Sequence, residues 1–398
     1  MKILQINSTY SGSTGSVMCE LAKIFELNGF QNYFASAQPY CGIDHSNHFT
    51  IGNQADHKMH ALYARLFGKQ GYCSKKATHK LINWIDSITP DVIIIHNLHS
   101  NCINLRQLFK YIQEKSIETV LVMHDCWLFT GKCYHYLYSG CSKWKNGCGN
   151  CPQLKLEQKS FYFDKTHKVL QDRKKLIGEN TNVRIVSVSE WLGKQISESV
   201  LSDRPLKVIR NGIDLEIFKP RSDARTALGI GEDKFVILGM ANKWLTEDNK
   251  ECFKKILESL TEDYILIIAG CDKAVCNQST ERIKYVEKMK PEKLVDYYSA
   301  ADVFVNLTKA DSLPTVNMES TACGTPVITY DSGGSGELVV DGETGYIVPY
   351  GDISTLLESI SNVKVKGKKS YTEKCRHFAM ENFDKNKNFS EYLDFIRR

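Results

Sequence analysis

The sequence predicts an α/β protein with two doubly wound parallel sheets, and three observations lead to this fold class. The chain has 398 residues, enough for two domains, and its 42% hydrophobic and 24% charged residues are typical of a globular protein. Short apolar runs alternate with longer helical stretches along the chain. The apolar runs are nearly continuous, as expected for parallel strands that helices cover on both faces.

The elements follow in chain order from a first strand that starts at Met1 and reaches polar Asn7 at once, unlike a signal peptide. Further strands are predicted at 92–95, 120–123, 183–186, 235–238, 264–268, 303–305 and 326–329, with helices including 105–115, 191–199 and 292–299. Because the strand–helix series starts again near Phe235, we predict a domain boundary near residue 205. The predicted parts are an N-terminal domain at 1–205 with a cysteine-rich insertion near 126–152, a C-terminal domain at 206–372, and a helical segment at 373–398.

Composition excludes several classes of function. The net charge of +5 is too small to indicate a nucleic-acid partner, and no apolar run is long enough to span a membrane. We therefore expect a cytoplasmic protein, whose fourteen cysteines are reduced thiols or metal ligands.

The segment 57–85 contains basic residues and no acid, and Leu62, Leu66 and Phe67 are spaced as one helical face. It could contact an anionic membrane at the inner face of the cell membrane, or it could be an ordinary solvated helix.

Two features lie where the first domain should bind a ligand. Small residues from Gly12 through Gly15 to Ser16 follow the first strand, and they suit either a phosphate or a tight strand-to-helix turn. His124 directly follows another strand, so it can bind a ligand or can be a structural histidine.

A cysteine cluster follows His124 and consists of Cys133, Cys141, Cys148 and Cys151. The last two have the C-x-x-C spacing at which two thiolates can bind one metal ion, and four thiolates suit structural zinc. An iron–sulfur cluster, a redox pair and unligated thiols are the alternatives.

The richest stretch follows the strand at 303–305. Asp311 lies in a loop and Glu319 about two helical turns later, so their carboxylates can accept hydrogen bonds from two parts of one polyhydroxylated ligand. A second glycine loop, with Gly333 and Gly334, follows the next strand and can admit a phosphate or a sugar close to the backbone.

These motifs resemble glycosyltransferase family 4, whose members are retaining enzymes of the GT-B fold, and in particular its bacterial exopolysaccharide and colanic-acid-type members. The resemblance rests on the stretches 90–99, 124–133, 211–214, 311–319 and 341–346 together with the cysteine cluster. It implies two Rossmann-like domains facing a cleft, with a nucleotide-sugar donor on the C-terminal domain. The glycan or lipid-linked acceptor would bind the N-terminal domain, and catalysis would need no cofactor.

By the same resemblance, Glu319 would bind the ribose hydroxyls, and Asp311, His124 and Lys250 would act at the reacting centre. The other implied donor-binding residues are Gly12, Gly15, Asn242, Lys243, Ser312, Leu313, Pro314, Asn317, Gly333 and Gly334. The chain departs from the family where an Arg and a Lys usually bind the diphosphate, because it has Asn242, Glu247 or Asp248 there. Lys243 and Lys250 could replace them, or the chain could be a GT-B partner subunit without activity; a nucleotide-sugar epimerase is a further alternative.

Overall fold

The computed structural model describes residues 1–38 and 47–397, which form two compact units. The N-terminal unit comprises Met1–Arg210 and Phe389–Arg398, and the C-terminal unit comprises Asn211–Asn388. The observed division follows Arg210, whereas the sequence predicted a boundary near residue 205. The predicted segment 373–398 is divided between the two units, and its last residue, Arg398, lies outside the described residues.

The N-terminal unit contains a parallel seven-stranded sheet of order β3-β2-β1-β4-β5-β6-β7. Its strands are β1 (Lys2–Asn7), β2 (Gln31–Ser36), β3 (His48–Thr50), β4 (Val92–Ile95), β5 (Glu118–Met123), β6 (Val183–Ser187) and β7 (Leu206–Val208). Its helices are α1 (Gly12–Leu27), α2 (Gln54–Phe67), α3 (Lys75–Ile88), α4 (Leu105–Lys115), α5 (Thr166–Arg173) and α6 (Glu190–Ser197). Single 3₁₀ turns occupy Trp127–Phe129, Tyr136–Ser139 and Lys143–Lys145, and a π-helical turn at Lys174–Gly178 extends α5.

Helix α4 shows why these elements form where they do. Leu105, Leu108, Phe109 and Ile112 are fully buried, and their spacing of three and four residues places them on one buried helical face. The side chain of Asn104 accepts a hydrogen bond from the amide of Gln107 and so caps the start of the helix.

The C-terminal unit contains a parallel six-stranded sheet of order β10-β9-β8-β11-β12-β13. Its strands are β8 (Phe235–Met240), β9 (Tyr264–Cys271), β10 (Ile283–Glu287), β11 (Val303–Asn306), β12 (Val327–Tyr330) and β13 (Gly345–Val348). Its helices are α7 (Ala224–Ala227), α8 (Ala241–Trp244), α9 (Lys250–Ser259), α10 (Lys273–Cys276), α11 (Pro291–Ala300), α12 (Thr315–Ala322), α13 (Ile353–Lys366) and α14 (Lys369–Asn382). A final helix, α15 (Lys385–Ile396), crosses the division into the N-terminal unit, and 3₁₀ turns lie at Glu247–Asn249 and Gly336–Leu338.

The core of the C-terminal unit also holds the segment after β8 in place. Trp244 is fully buried, and its indole nitrogen donates to the carbonyl oxygen of Val305 at 2.8 Å. A Cβ at position 239 would lie 2.1 Å from that nitrogen, so only Gly239 lets the indole pack against β8. Helix α8 is thereby anchored beside β11 at the carboxyl end of the sheet.

The predicted fold class is confirmed, because two doubly wound parallel sheets are present with helices between most successive strands. None of the described helices is long and apolar enough to cross a bilayer.

Candidate functional site

In the C-terminal sheet, β8 is the strand from which the chain extends to β9 on one side and to β11 on the other. Ligands of doubly wound sheets bind at such a switch point, outside the carboxyl ends of the strands. The segments 241–249, 307–314 and 331–335 leave the sheet there, after β8, β11 and β12. Most of the predicted donor-binding residues lie on these segments and on α12.

Asp311 links these three segments. Its Oδ1 accepts a hydrogen bond from the amide of Leu313 at 3.1 Å, and its Oδ2 lies 3.7 Å from Nζ of Lys243. Its backbone oxygen accepts a hydrogen bond from the amide of Gly334 at 2.9 Å. The carboxylate is therefore held in position while remaining partly exposed.

The glycine loop after β12 comes close to Asp311 because residue 333 is a glycine. Its φ of +62° lies in the left-handed region, and a Cβ there would lie 2.0 Å from the carbonyl oxygen of Asp311. The loop can approach Asp311 only because this position lacks a side chain, so the predicted pairing of carboxylate and glycine loop is present.

Glu319, on α12, is partly buried and not enclosed in an apolar interior. The phenol of Tyr298 donates to its Oε2 at 2.9 Å. Burial raises the pKa of Glu319 to about 7, against the opposing effect of hydrogen bonds from Tyr298 and Thr315. A carboxylate in this state can exchange its proton for hydroxyl donors of a ligand.

Three buried polar atoms beside these residues have no hydrogen-bond partner within the described part of the chain: Oγ of Ser312, Nδ2 of Asn317 and Oγ of Ser335. The other end of the Asn317 amide accepts a hydrogen bond from Nδ2 of Asn306 at 2.8 Å, which fixes its orientation. Because buried polar groups are nearly always hydrogen-bonded, these atoms are available to bind a polar ligand or water.

The basic residues of this edge are paired with acids. Lys243 lies near Asp311, and Lys250 pairs with Glu247 at 3.4 Å in a highly exposed position at the start of α9. Asn242, by contrast, is simply exposed on α8.

Lys309, which the sequence analysis did not single out, lies 3.3 Å from Asp248. Its position between β11 and Asp311 was the signal that could have identified it. The structure therefore brings Lys243 and Lys309 to the edge where the expected Arg and Lys are missing.

The N-terminal sheet has its own switch point, between β1 and β4. Asn7, at the end of β1, accepts a hydrogen bond from the amide of Asn97 at 3.2 Å and donates to the Thr14 hydroxyl at 3.3 Å. These bonds tie the start of α1 to the segment after β4. Gly12 has a φ of +78°, and a Cβ at position 15 would lie 2.2 Å from the carbonyl oxygen of Tyr10, so Gly12 and Gly15 are both required by the turn.

His124 belongs to a chain of hydrogen bonds. Its Nε2 lies 3.1 Å from Nδ1 of His96, and Nε2 of His96 lies 3.1 Å from Oε1 of Gln5. Because an amide oxygen only accepts, we assign the proton of His96 to Nε2, and His124 then donates from its own Nε2. This assignment leaves Nδ1 of His124 as an acceptor, and burial lowers the pKa of His124 to about 4, so the ring is neutral at pH 7.

A second histidine lies beside this chain. His99 contacts Oδ2 of Asp125 at 3.1 Å, while Oδ1 of Asp125 accepts a hydrogen bond from the amide of Trp127 at 2.8 Å. Burial alone would raise the pKa of Asp125, but the contact with His99 holds it below its ordinary value. Neither His96 nor His99 was predicted as a site residue, although both stand in the stretch that carries the family resemblance.

The four predicted metal-binding cysteines line one small cavity in the N-terminal unit. As the side chains stand, the described residues contain no group of three or more His, Cys, Asp or Glu that could hold a metal ion.

Comparison with known proteins finds a family match within the C-terminal unit and similar folds for the whole chain. Residues 240–379 match the family model described as glycosyl transferases group 1. WcaC of Escherichia coli K12, named for a proposed role as a colanic acid biosynthesis glycosyl transferase, is 23% identical over 361 residues, which are 85% of each chain.

Two solved structures cover the whole chain. Sucrose-phosphate synthase from Thermosynechococcus elongatus has a TM-score of 0.73 and 16% identity, over 100% of this chain and 98% of that one. Anabaena HepE, solved with UDP, has a TM-score of 0.69 and 15% identity over 100% of both chains. The expected fold is thus confirmed as the GT-B type, and residues 240–379 match the model of the glycosyl transferases group 1 domain.

Proposed function

We propose that this protein is a retaining glycosyltransferase that moves a sugar from a nucleotide-diphosphate sugar to a lipid-linked surface polysaccharide or oligosaccharide. One observation carries the proposal: Asp311, Glu319 and three unpartnered buried polar atoms gather at the switch point of the group 1 domain. An epimerase would need no acceptor site, whereas the first domain has a second switch point lined with polar residues.

The donor side follows from the chemistry of these groups. The Glu319 carboxylate would accept hydrogen bonds from both ribose hydroxyls, because its two oxygens can accept more hydrogen bonds than those that Tyr298 and Thr315 donate. Asp311 and the amides of 312–314 would contact the donor sugar. HepE, which has a similar fold, binds UDP and UDP-glucose, and this supports a nucleotide-sugar donor.

The diphosphate would be bound by Lys243 and Lys309, together with the backbone of the glycine loop at 333–334. Both ammonium groups are held by carboxylates, Asp311 and Asp248, at 3.7 and 3.3 Å. A diphosphate can replace those weak, partly exposed pairs. Lys250 lies in the exposed pair with Glu247, and its proposed role at the reacting centre is the one that the contacts support least.

For the chemical step, we propose front-face attack by the acceptor hydroxyl, with the leaving diphosphate taking its proton. No protein base is then required, and stabilisation of phosphate charge is the main catalytic contribution. Neutral His124 would accept a hydrogen bond at Nδ1 from a hydroxyl of the donor sugar or acceptor. His96 acts as a positioning residue, because it fixes the His124 ring.

The acceptor is proposed to be lipid-linked because the N-terminal unit has an exposed surface that is both apolar and basic. We call it the aromatic–basic patch, and it comprises Lys58, Met59, Leu62, Arg65, Phe67, Lys159, Phe161, Tyr162 and Phe163. The rings of Phe67 and Phe163 stack at 6.4 Å, and the amide of Phe161 donates to the carbonyl oxygen of Arg65, so loop and helix form one surface. Apolar side chains beside cations suit the anionic inner face of a cell membrane.

A screen of nucleotide sugars tests the proposal by measuring donor hydrolysis and transfer to lipid-linked glycan acceptors. We expect turnover with one donor class and a product that keeps the anomeric configuration of the donor sugar. An inverted product would refute the retaining mechanism.

The second candidate is a partner subunit that binds a nucleotide sugar or glycan without turning it over. The observation that favours it is that Lys243 and Lys250 are both paired with acids, while Asp248 occupies a position where a base is expected. Tight donor binding without turnover, unaffected by Lys250→Ala, would support this candidate over the transferase.

A further inference from the structure

The cysteines of the insertion converge in space although they are spread over 133–151. Cys133, Cys141, Cys148 and Cys151 all line one cavity, whose free volume of about 20 Å³ is the size of one water molecule or ion. Trp144, which is fully buried, forms another wall. Four thiols around a space for one atom are an unusual arrangement for side chains without a common ligand.

The backbone around the thiols is shaped for the C-x-x-C pair. Gly147 and Gly149 have φ values of +142° and +139°, which residues other than glycine rarely adopt. The amide of Gly131 is within hydrogen-bonding reach of the Cys148 sulfur, and the amide of Gln153 is within reach of the Cys151 sulfur. Amides directed at sulfur stabilise thiolates and orient metal ligands.

Two buried cations lie beside the cluster, and their hydrogen bonds within the described residues go to backbone carbonyl oxygens. Arg173 is 1% exposed, and its Nη1 donates to the carbonyl oxygens of Trp127 and Thr130. Its Nε and Nη2 have no hydrogen-bond partner among residues 1–38 and 47–397. Lys132 is 7% exposed, and its Nζ donates only to carbonyl oxygens, those of 153, 154 and 156. Both cations are close enough to Cys133 to interact with it electrostatically.

The anionic groups near these cations include sulfurs of the cluster as well as Asp125, Glu157 and Asp164. Burying a cation is costly, and thiolates at the cluster would lower that cost. We propose that Cys133, Cys141, Cys148 and Cys151 bind one structural zinc ion as thiolates. Four thiolates and Zn²⁺ carry a net charge of about −2, which Arg173 and Lys132 offset. The site is closed, since all four positions of the tetrahedron are protein ligands, and it therefore has no catalytic role.

The thiols reach this geometry by side-chain rotation into the cavity, because in their present rotamers the described residues do not form a metal-binding group. The consequence for the protein is local order. The insertion begins directly after His124 and Asp125, so the ion would hold the loop that follows these two residues.

Elemental analysis of the full-length chain, purified without a histidine tag and dialysed without chelator, tests the proposal. We expect about one zinc per chain. Less than a tenth of an equivalent of zinc would overturn it, as would iron accompanied by acid-labile sulfide, or a disulfide between Cys133 and Cys151 in the protein as isolated.

Variants locate the ion. Cys148→Ser should lower the zinc content at least tenfold, whereas Cys73→Ser, which replaces a half-buried cysteine of the same unit outside the cavity, should leave it unchanged. If Cys148→Ser does not fold, a mercurial titration of the native protein decides. Zinc released in step with the reaction of four thiols supports the site, and thiols that react without release of zinc exclude it.

Discussion

At the scale of single residues, Glu319 is the group whose ionisation should control donor binding. Burial raises its pKa to about 7, and the carboxylate form accepts hydrogen bonds from two ribose hydroxyls more strongly than the protonated acid, whose O–H is a donor. We therefore expect nucleoside diphosphate affinity to fall about tenfold between pH 8 and pH 6, as the carboxylate takes up its proton. Isothermal titration across this range measures the effect, and Glu319→Gln should bind weakly with no such pH dependence. A wild-type affinity that stays flat from pH 6 to 8 would remove Glu319 from the site.

The same pKa has a consequence for the free protein. The folded chain binds more protons than the unfolded chain between pH 4.5 and about 7, so the contribution of Glu319 to stability is lost as the pH rises through that window. Glu319→Gln should accordingly raise the free energy of unfolding at pH 8 by about 1–3 kcal/mol and should have little effect at pH 4. Urea unfolding at the two pH values measures the difference. If Glu319→Gln changed the free energy of unfolding equally at pH 4 and pH 8, burial of the charged carboxylate would not be the cause of the change.

Asp248 should weaken diphosphate binding through its pair with Lys309 at 3.3 Å. Asp248→Asn frees the ammonium group of Lys309, and we expect donor affinity to rise about two- to fivefold. Asp248→Lys should raise donor affinity further than Asp248→Asn does. Glu258→Gln is the matched control, because Glu258 pairs with Lys254 on the exposed face of α9. No change in either Asp248 variant would place that residue outside the site.

At the scale of elements, the glycine loop after β12 should matter through its contact with Asp311. Gly333→Ala meets both a positive φ and a Cβ placed 2.0 Å from the Asp311 carbonyl oxygen, so the loop must move away. We expect donor affinity to fall at least tenfold in this variant. Gly342→Ala is the control, since it has a similar φ of +74° but nothing within 4 Å of the added Cβ.

In Gly342→Ala, placing alanine in the left-handed backbone region should lower the free energy of unfolding by about 1–2 kcal/mol. Its donor affinity should stay unchanged. Titration calorimetry and thermal unfolding on both variants separate the two effects. Equal affinities for Gly333→Ala and Gly342→Ala would show that the loop does not shape the site.

At the scale of the whole molecule, the aromatic–basic patch should direct the protein to anionic membranes. Vesicles rich in anionic lipid should sediment the protein at low salt and release it at high salt. Lys58→Glu with Arg65→Glu should abolish sedimentation. The control variant, Lys254→Glu with Lys255→Glu, makes the same change in charge on α9 of the C-terminal unit. It should sediment with the vesicles as the wild-type protein does. Failure of wild-type protein to sediment at low salt would exclude the membrane contact.

The sequence predicted most strands at the centre of each sheet and missed strands at the edges. The strands buried at the centre of each sheet, such as β4, β5, β8 and β11, are apolar runs and were predicted close to their observed positions. Strand β2 is largely buried but was not predicted, because polar residues interrupt its apolar run. The edge strands β3 and β10 were not predicted, because their side chains are largely half-exposed and carry no continuous apolar run. Strand β7, with only three half-buried residues, was missed for the same reason.

By itself the sequence determined the fold class, the restart of the strand–helix series and the positions of Asp311, Glu319 and His124 after their strands, because these depend on patterns within short windows of chain. Tertiary structure alone decided which groups meet: His96 with His124, Tyr298 with Glu319, Lys309 with Asp248. The partners in these pairs are 28, 21 and 61 residues apart. The order of strands in a sheet brings such distant segments together, and local patterns of hydrophobicity do not encode that order.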